Sequence, residues 1–276
     1  MRYLPISVLI LTMTHLGATP LTLPFGAADP QLGVYADGDY LRGPRGLAWD
    51  GQAWLVADGY KARAAWYDGK GRFMKSVPLD GISPRTVGFL WNEDRTLVTF
   101  NDQSLSRWSE QGTSLGSVGL GLALPDLVGA ESSQAYAVFS ENSGGSTLVW
   151  NRDFSQAHRY SLTTGARVQA ALQDSRNRYW LIDGQTQAKT FHWKASLPAG
   201  SFWAGARADG LSLWIEKAPN EFHLRWISSA GELEYETVVI DIGPDPVWGV
   251  DPQLAFVWGK TTTQGFMVDR VSLPSE

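Results

Sequence analysis

The sequence contains no cysteine. That removes disulfide staples, thiol catalysis, thiolate metal sites and a lipid-modified N-terminal cysteine from consideration. A basic excess is also missing: 23 Lys and Arg stand against 28 Asp and Glu, for a formal net charge of −5. With no basic run either, nucleic acid and anionic lipid are not expected partners. No amphipathic helical stretch follows the N-terminus, which points away from helical folds. Catalytic signatures are lacking too. There is no Gly-x-Ser-x-Gly elbow and no paired metal-binding histidine motif. His158, His192 and His223 stand far apart, and a lone strand histidine is ordinarily solvated or hydrogen-bonded.

What the chain has in quantity is tryptophan, 13 in 276 residues, with 29 glycines and 14 prolines scattered throughout. Many turn residues among aromatic and β-branched runs describe many short strands. Trp66, Trp108, Trp150, Trp193 and Trp226 recur at steps of 42, 42, 43 and 33 residues. Four of them share a frame, an aromatic on a short strand before a polar turn: Trp66-Tyr-Asp-Gly-Lys-Gly71, Trp108-Ser-Glu-Gln-Gly112, Trp150-Asn-Arg-Asp and Trp226-Ile-Ser-Ser-Ala-Gly231. A period of about 40–50 residues is that of a four-stranded blade in a β-propeller.

The first blade is the most legible. Pro44-Arg45-Gly46-Leu47-Ala48-Trp49-Asp50 leads through Gly51-Gln52 into Ala53-Trp54-Leu55-Val56-Ala57-Asp58, and Asp68-Gly69-Lys70-Gly71 follows. The pattern resembles the NHL repeat of six-bladed propellers, and is more distantly similar to the gluconolactonase and senescence-marker propellers. The remaining repeats keep the spacing without the letters.

The expected fold is therefore all-β, a six-bladed β-propeller of four-stranded antiparallel blades in one domain over residues 19–276. Six blades of four strands leave about 11 residues per strand and turn. The sixth blade, from Pro246, runs out of chain after Val247–Val250, Leu254–Trp258 and Gly265–Asp269. Gly33-Val34-Tyr35 and Leu41-Arg42-Gly43-Pro44 parallel Gly71-Arg72-Phe73 and the sequence leading to Pro84. Residues 33–41 are accordingly expected to complete that blade by pairing near 265–273, closing the ring without an open edge. In the fourth blade the third strand is expected at Thr190–Trp193.

Residues 1–18 read as an export signal: Arg2, an apolar stretch from Leu4 to Met13, then Gly17-Ala18. The stretch is shorter than the ~20 residues of a spanning helix. Cleavage is expected near Ala18, with Ala28 as a second site. The mature protein would be periplasmic or secreted and bacterial, with no transmembrane segment.

Candidate site residues come from the expected propeller face where inner strands start and second strands end. Arg45, Arg85 and Arg167 occupy three inner-strand starts. A surface arginine most commonly pairs with a neighbouring carboxylate, here Asp58, Asp102 or Asp183. Left free, the three form a clamp for an anion, with Trp203 or Trp248 beside them to stack a planar or carbohydrate acid. The likeness to gluconolactonases implies instead a central calcium on acidic side chains, for which Asp126, Asp245, Asp58 and Asp183 are the candidates. The function expected first is a non-enzymatic binding or assembly module for a protein partner or a small anionic or carbohydrate ligand. A metal-dependent lactonase or esterase is the alternative.

Overall fold

In a computed structural model of the chain, the backbone is described over residues 13–14, 20–84, 86, 88–91, 94–100, 104–119, 127–130, 134–139, 146–151, 154–155, 157–161, 168–173, 179–183, 187–190, 194–196, 202–206, 210–228, 233–240, 247–250 and 256–271. Side chains are described over 20–84, 86, 94–100, 104–119, 154–155, 218–226, 233–240, 247 and 256–271. Every regular element among these residues is a strand.

The strands form consecutive antiparallel meanders. Sheet I comprises Gly46–Trp49, Ala53–Asp58, Arg63–Asp68 and Phe73–Pro78. Sheet II follows with Gly88–Trp91, Thr96–Phe100, Ser104–Ser109 and Ser114–Gly119, and sheet III with Leu127–Ala130, Gln134–Phe139, Ser146–Asn151 and Ala157–Ser161. Sheet IV holds Val168–Gln173, Tyr179–Asp183, Gln187–Thr190 and Lys194–Ser196. Sheet V holds Phe202–Ala206, Gly210–Ala218, Glu221–Ser228 and Leu233–Ile240, with Met13–Thr14 parallel along its outer strand. Sheet VI is Val247–Val250, Phe256–Thr261 and Phe266–Val271, completed by Leu21–Leu23.

First strands adjoin one another from sheet to sheet. Gly46–Trp49 lies between Gly88–Trp91 and Val247–Val250, Phe202–Ala206 lies beside Val247–Val250, and Leu127–Ala130 bridges Gly88–Trp91 and Val168–Gln173. The sheets thus follow one another in the order V, VI, I, II, III, IV.

Alternation along each strand sends side chains to opposite faces, so each central sheet feeds two cores. On one face of sheet I, Ala48, Leu55, Ala57, Ala64 and Trp66 pack with Leu97 and Trp108 of sheet II. On the other, Leu47, Trp54, Val56, Ala65 and Tyr67 pack with Leu23, Val257, Phe266 and Val268 of sheet VI. Phe222, Leu224 and Val239 of sheet V meet Phe256, Trp258 and Val271 across the next wedge. Two of the periodic tryptophans, Trp66 and Trp108, belong to this filling, and Trp226 is buried as well, whereas Trp150 and Trp193 lie outside the described side chains.

The repeat also has a backbone basis. Pairing of third with fourth strand slips at Trp66/Tyr67, Arg107/Trp108 and Trp226/Ile227, so a β-bulge accompanies each of these tryptophans. A bulge bends the strand and increases its local right-handed twist. The following turn repeats as well. Asp68 Oδ1 accepts from the amides of Lys70 and Arg72, each at 2.9 Å, and Ser109 Oγ accepts from those of Gln111 and Thr113 at 3.2 and 3.1 Å. Gly71 and Gly112 hold φ of 77° and 82°, a conformation that favours glycine.

Two expectations need correction. Residues 33–41 do not pair with the last strand; Leu21–Leu23 does, in register Leu21↔Val268, Thr22↔Met267 and Leu23↔Phe266. Leu23 carries an apolar side chain into the core there, while Tyr35–Asp37 and Tyr40–Arg42 form a hairpin of their own about Gly38-Asp39. In sheet IV the third strand is Gln187–Thr190, ending before Trp193.

Replacing Trp66 by Ala empties the wedge between sheets I and II. Urea unfolding should show a loss of about 3–5 kcal/mol, the range for a buried tryptophan truncated to alanine.

Candidate functional site

The N-terminal segment enters from its pairing with sheet VI and crosses to sheet I, where a polar network receives it. Asp58 ends the second strand and Arg63 begins the third, directly opposite in register. Both are buried, Asp58 fully and Arg63 to 5 % residual exposure. Arg63 donates from all three guanidinium nitrogens: Nε to Asp58 Oδ2 at 3.3 Å, Nη1 to Asp29 Oδ1 at 2.6 Å and Ser76 Oγ at 3.3 Å, Nη2 to the Gln31 carbonyl at 2.6 Å. The amide of Gly33 donates to Asp58 Oδ2 at 3.0 Å, and that of Lys61 to Asp58 Oδ1 at 3.3 Å. Lys61 Nζ donates to the carbonyls of Ala28 and Gln31, both at 2.7 Å, and Tyr67 Oη to that of Pro30 at 3.0 Å. Burial lowers the Lys61 ammonium from its ordinary range, helped by the Arg63 charge, and raises the Tyr67 phenol. Gly33 is needed for closeness: a Cβ there would sit 2.5 Å from that of Tyr60 and 2.8 Å from Asp58 Oδ1.

Beyond Gly33 the chain projects as the hairpin. Arg42 Nε donates to Asp37 Oδ2 at 2.7 Å across it, and Tyr35 stacks on Tyr60 with ring centroids 6.4 Å apart and planes 15° apart. It returns through Gly43, whose amide donates to Thr261 Oγ1 of sheet VI at 3.0 Å. Arg45 follows, exposed, and forms no ion pair or hydrogen bond among the described residues. The expected partner, Asp58, is taken by Arg63, which lies opposite it on the neighbouring strand. Tyr60 is raised from its ordinary range by burial, against the charges of Arg42 and Arg45.

Arg45 and Asp58 thus both lie by the start and end of sheet I strands, in different roles. Arg85, Arg167, Asp126 and Asp245 lie outside the described residues. Trp203, Trp248 and Asp183 lie within strands, with side chains outside those described. Among the described residues no group of three or more His, Asp or Glu gathers as metal ligands. His223 has Nδ1 2.9 Å from Glu236 Oε1 and Nε2 2.8 Å from Glu221 Oε1, with Arg225 also on Glu236. Burial pushes Glu236 up, yet the bonds from His223 and Arg225 outweigh it and hold its carboxyl below the usual range. These side chains pair with one another between two adjacent strands of sheet V.

Sequence inspection misses Arg63, Tyr35 and Tyr60 as a group. The signals were a glycine-aspartate pair in a short apolar-flanked stretch, which favours a two-residue hairpin, and a cation five residues past Asp58.

No family model matches the chain, and no curated protein matches it in sequence. Solved structures do resemble it in shape. One is a protein of Bacteroides fragilis NCTC 9343 assigned as exported, at TM-score 0.51 and 8% identity, over 87% of this chain and 83% of the other. Another is a member of the DUF4221 family from Bacteroides vulgatus ATCC 8482, at TM-score 0.50 and 10% identity, over 93% and 96%. Virginiamycin B lyase from Staphylococcus aureus follows at TM-score 0.47 and 12% identity, over 84% and 86%. At such identities the likeness concerns the fold alone: the chain is a β-propeller.

Replacing Arg63 by Ala should release residues 28–33. Limited proteolysis is expected to cut the variant within that segment at protease levels that leave the wild type whole, with a stability loss of about 3–5 kcal/mol from the uncompensated Asp58.

Proposed function

We propose that this chain is an exported six-bladed propeller, its ring closed by Leu21–Leu23 on the last strand, that acts as a non-enzymatic binding module. The observation that carries this reading is the hairpin Tyr35–Arg42. It is an addition to the meander that no sheet needs, and a buried ion-pair network and a glycine contact hold it in place. Irregular elements fixed on a rigid scaffold are where binding residues concentrate. Arg45 at the foot of the hairpin keeps the anion-binding role first given to it with Arg85 and Arg167.

Export sits well with the position of the closing strand. Cleavage after Ala18 leaves Leu21–Leu23 in the mature chain, whereas cleavage after Ala28 would remove it together with the apolar side chain of Leu23. No helix among the described residues is long and apolar enough to cross a membrane.

Mass spectrometry of the protein from fractionated cells should find a mature N-terminus between residues 19 and 21. An intact Met1 in the mature fraction contradicts export, and a start at residue 29 contradicts the closing strand. A calcium titration that raises the thermal midpoint with a one-to-one ion would transfer the reading to a metal-dependent hydrolase.

A further inference from the structure

Seven large hydrophobic side chains are exposed among the described residues, and four of them, Val34, Tyr35, Tyr40 and Leu41, fall within one eight-residue stretch. Isolated exposed apolar residues are ordinary, but a cluster is a mark of an interaction surface. Tyr40 is 75 % exposed and Tyr35 is 56 % exposed. Neither is being used to fill the core.

We propose that the hairpin and the Tyr60 turn form a docking site for an acidic, extended segment of a partner protein. Tyr35, Tyr40 and Tyr60 are the contact surface and Arg45 is the carboxylate ligand. This rests on the binding-module reading above and names its partner's chemistry.

Three observations lead to that occupant. The first is charge. Arg45 is exposed with no acidic partner among the described residues, and it follows the second hairpin strand, Tyr40–Arg42, by three residues. Arg42, by contrast, is already answered by Asp37. One uncompensated guanidinium at the foot of a hairpin that bears exposed tyrosines suits a carboxylate that is next to an apolar or planar group. The second is shape. Small-molecule sites are concave and bury most of their ligand. A ring as exposed as Tyr40 offers no enclosing wall, so a partner that brings its own surface is favoured over a free sugar acid. The third is rigidity. The hairpin is tied at both feet, by the amide of Gly33 on Asp58 and that of Gly43 on Thr261, and braced by the Tyr35–Tyr60 stack. A surface fixed before binding loses little entropy on association. Tyrosine and arginine are also the residues on which interface energy concentrates.

The test pans a phage-displayed library of short random peptides on the mature protein, then measures enriched sequences as synthetic peptides by calorimetry. Enriched peptides should carry Asp or Glu beside an aromatic or aliphatic residue and bind more weakly as salt rises. Arg45→Glu and Tyr40→Ala should each weaken binding roughly tenfold or more, the scale of an interface hot spot. Both side chains are exposed, so the thermal midpoints should match wild type. Peptides that bind the Arg45→Glu, Tyr40→Ala double variant with unchanged affinity overturn the site while leaving the binding-module reading in place. Binding of an oligogalacturonate, abolished by Arg45→Glu, with no peptide enrichment, overturns the protein partner in favour of a sugar acid. No enrichment combined with a stoichiometric calcium shift overturns both readings.

Discussion

The buried pair of Asp58 and Arg63 is the constraint on which the rest of this arrangement hangs. Burying two charges costs several kcal/mol per ion, and their mutual attraction offsets this only when the remaining donors and acceptors are also satisfied. Here the satisfaction comes from outside the pair. Asp29, the carbonyl of Gln31 and the amide of Gly33 supply it, so the ion pair is complete only when residues 29–33 lie across sheet I. The pair therefore specifies where the N-terminal segment goes as much as it stabilises it. Two things follow from that placement: Leu21–Leu23 is delivered to the edge of sheet VI, and the hairpin is set beside Tyr60 and Arg45.

The sheets themselves are held by a different force. Apolar side chains on both faces of sheet I, with Trp66 on one and Trp54 and Tyr67 on the other, fill the wedges toward its neighbours. Burying aromatics of this size contributes more than any surface ion pair, such as that of Arg95 with Glu110. The polar clasp and the apolar wedges are complementary. Wedges favour stacking of sheets in general, while the clasp settles which extended segment completes sheet VI.

How much of this could be read from the letters follows the range of the interactions. Trp66 and Trp108 were legible because one packing demand, filling the wedge between sheets I and II, falls at the same place in two successive repeats. The turns at Asp50-Gly51 and Asp68–Gly71 were legible because an aspartate side chain bonds amides two to four residues on, a local rule. The strand Leu21–Leu23 was not. Three residues give no periodicity, and the likeness of Gly33-Val34-Tyr35 to Gly71-Arg72-Phe73 pointed to the wrong segment. From sequence, Asp58 and Arg45 suggest a pair because both lie at strand ends on one side. Strand register decides otherwise, since it sets Arg63 directly opposite Asp58. The bonds from Arg63 and Lys61 to backbone carbonyls near residue 30 leave no trace in composition, because any residue supplies a carbonyl.

The central claim is that one segment joins sheets I and VI through the clasp. Native-state hydrogen exchange at the amides of Gly33 and Leu23 tests it most directly. If the clasp joins the sheets, both amides exchange only through the large opening that also exposes the strands of sheet I, and in an Asp58→Ala variant both become fast together. Rapid exchange of these amides in the wild type, while the amides of Leu55 and Val56 stay protected, would contradict it.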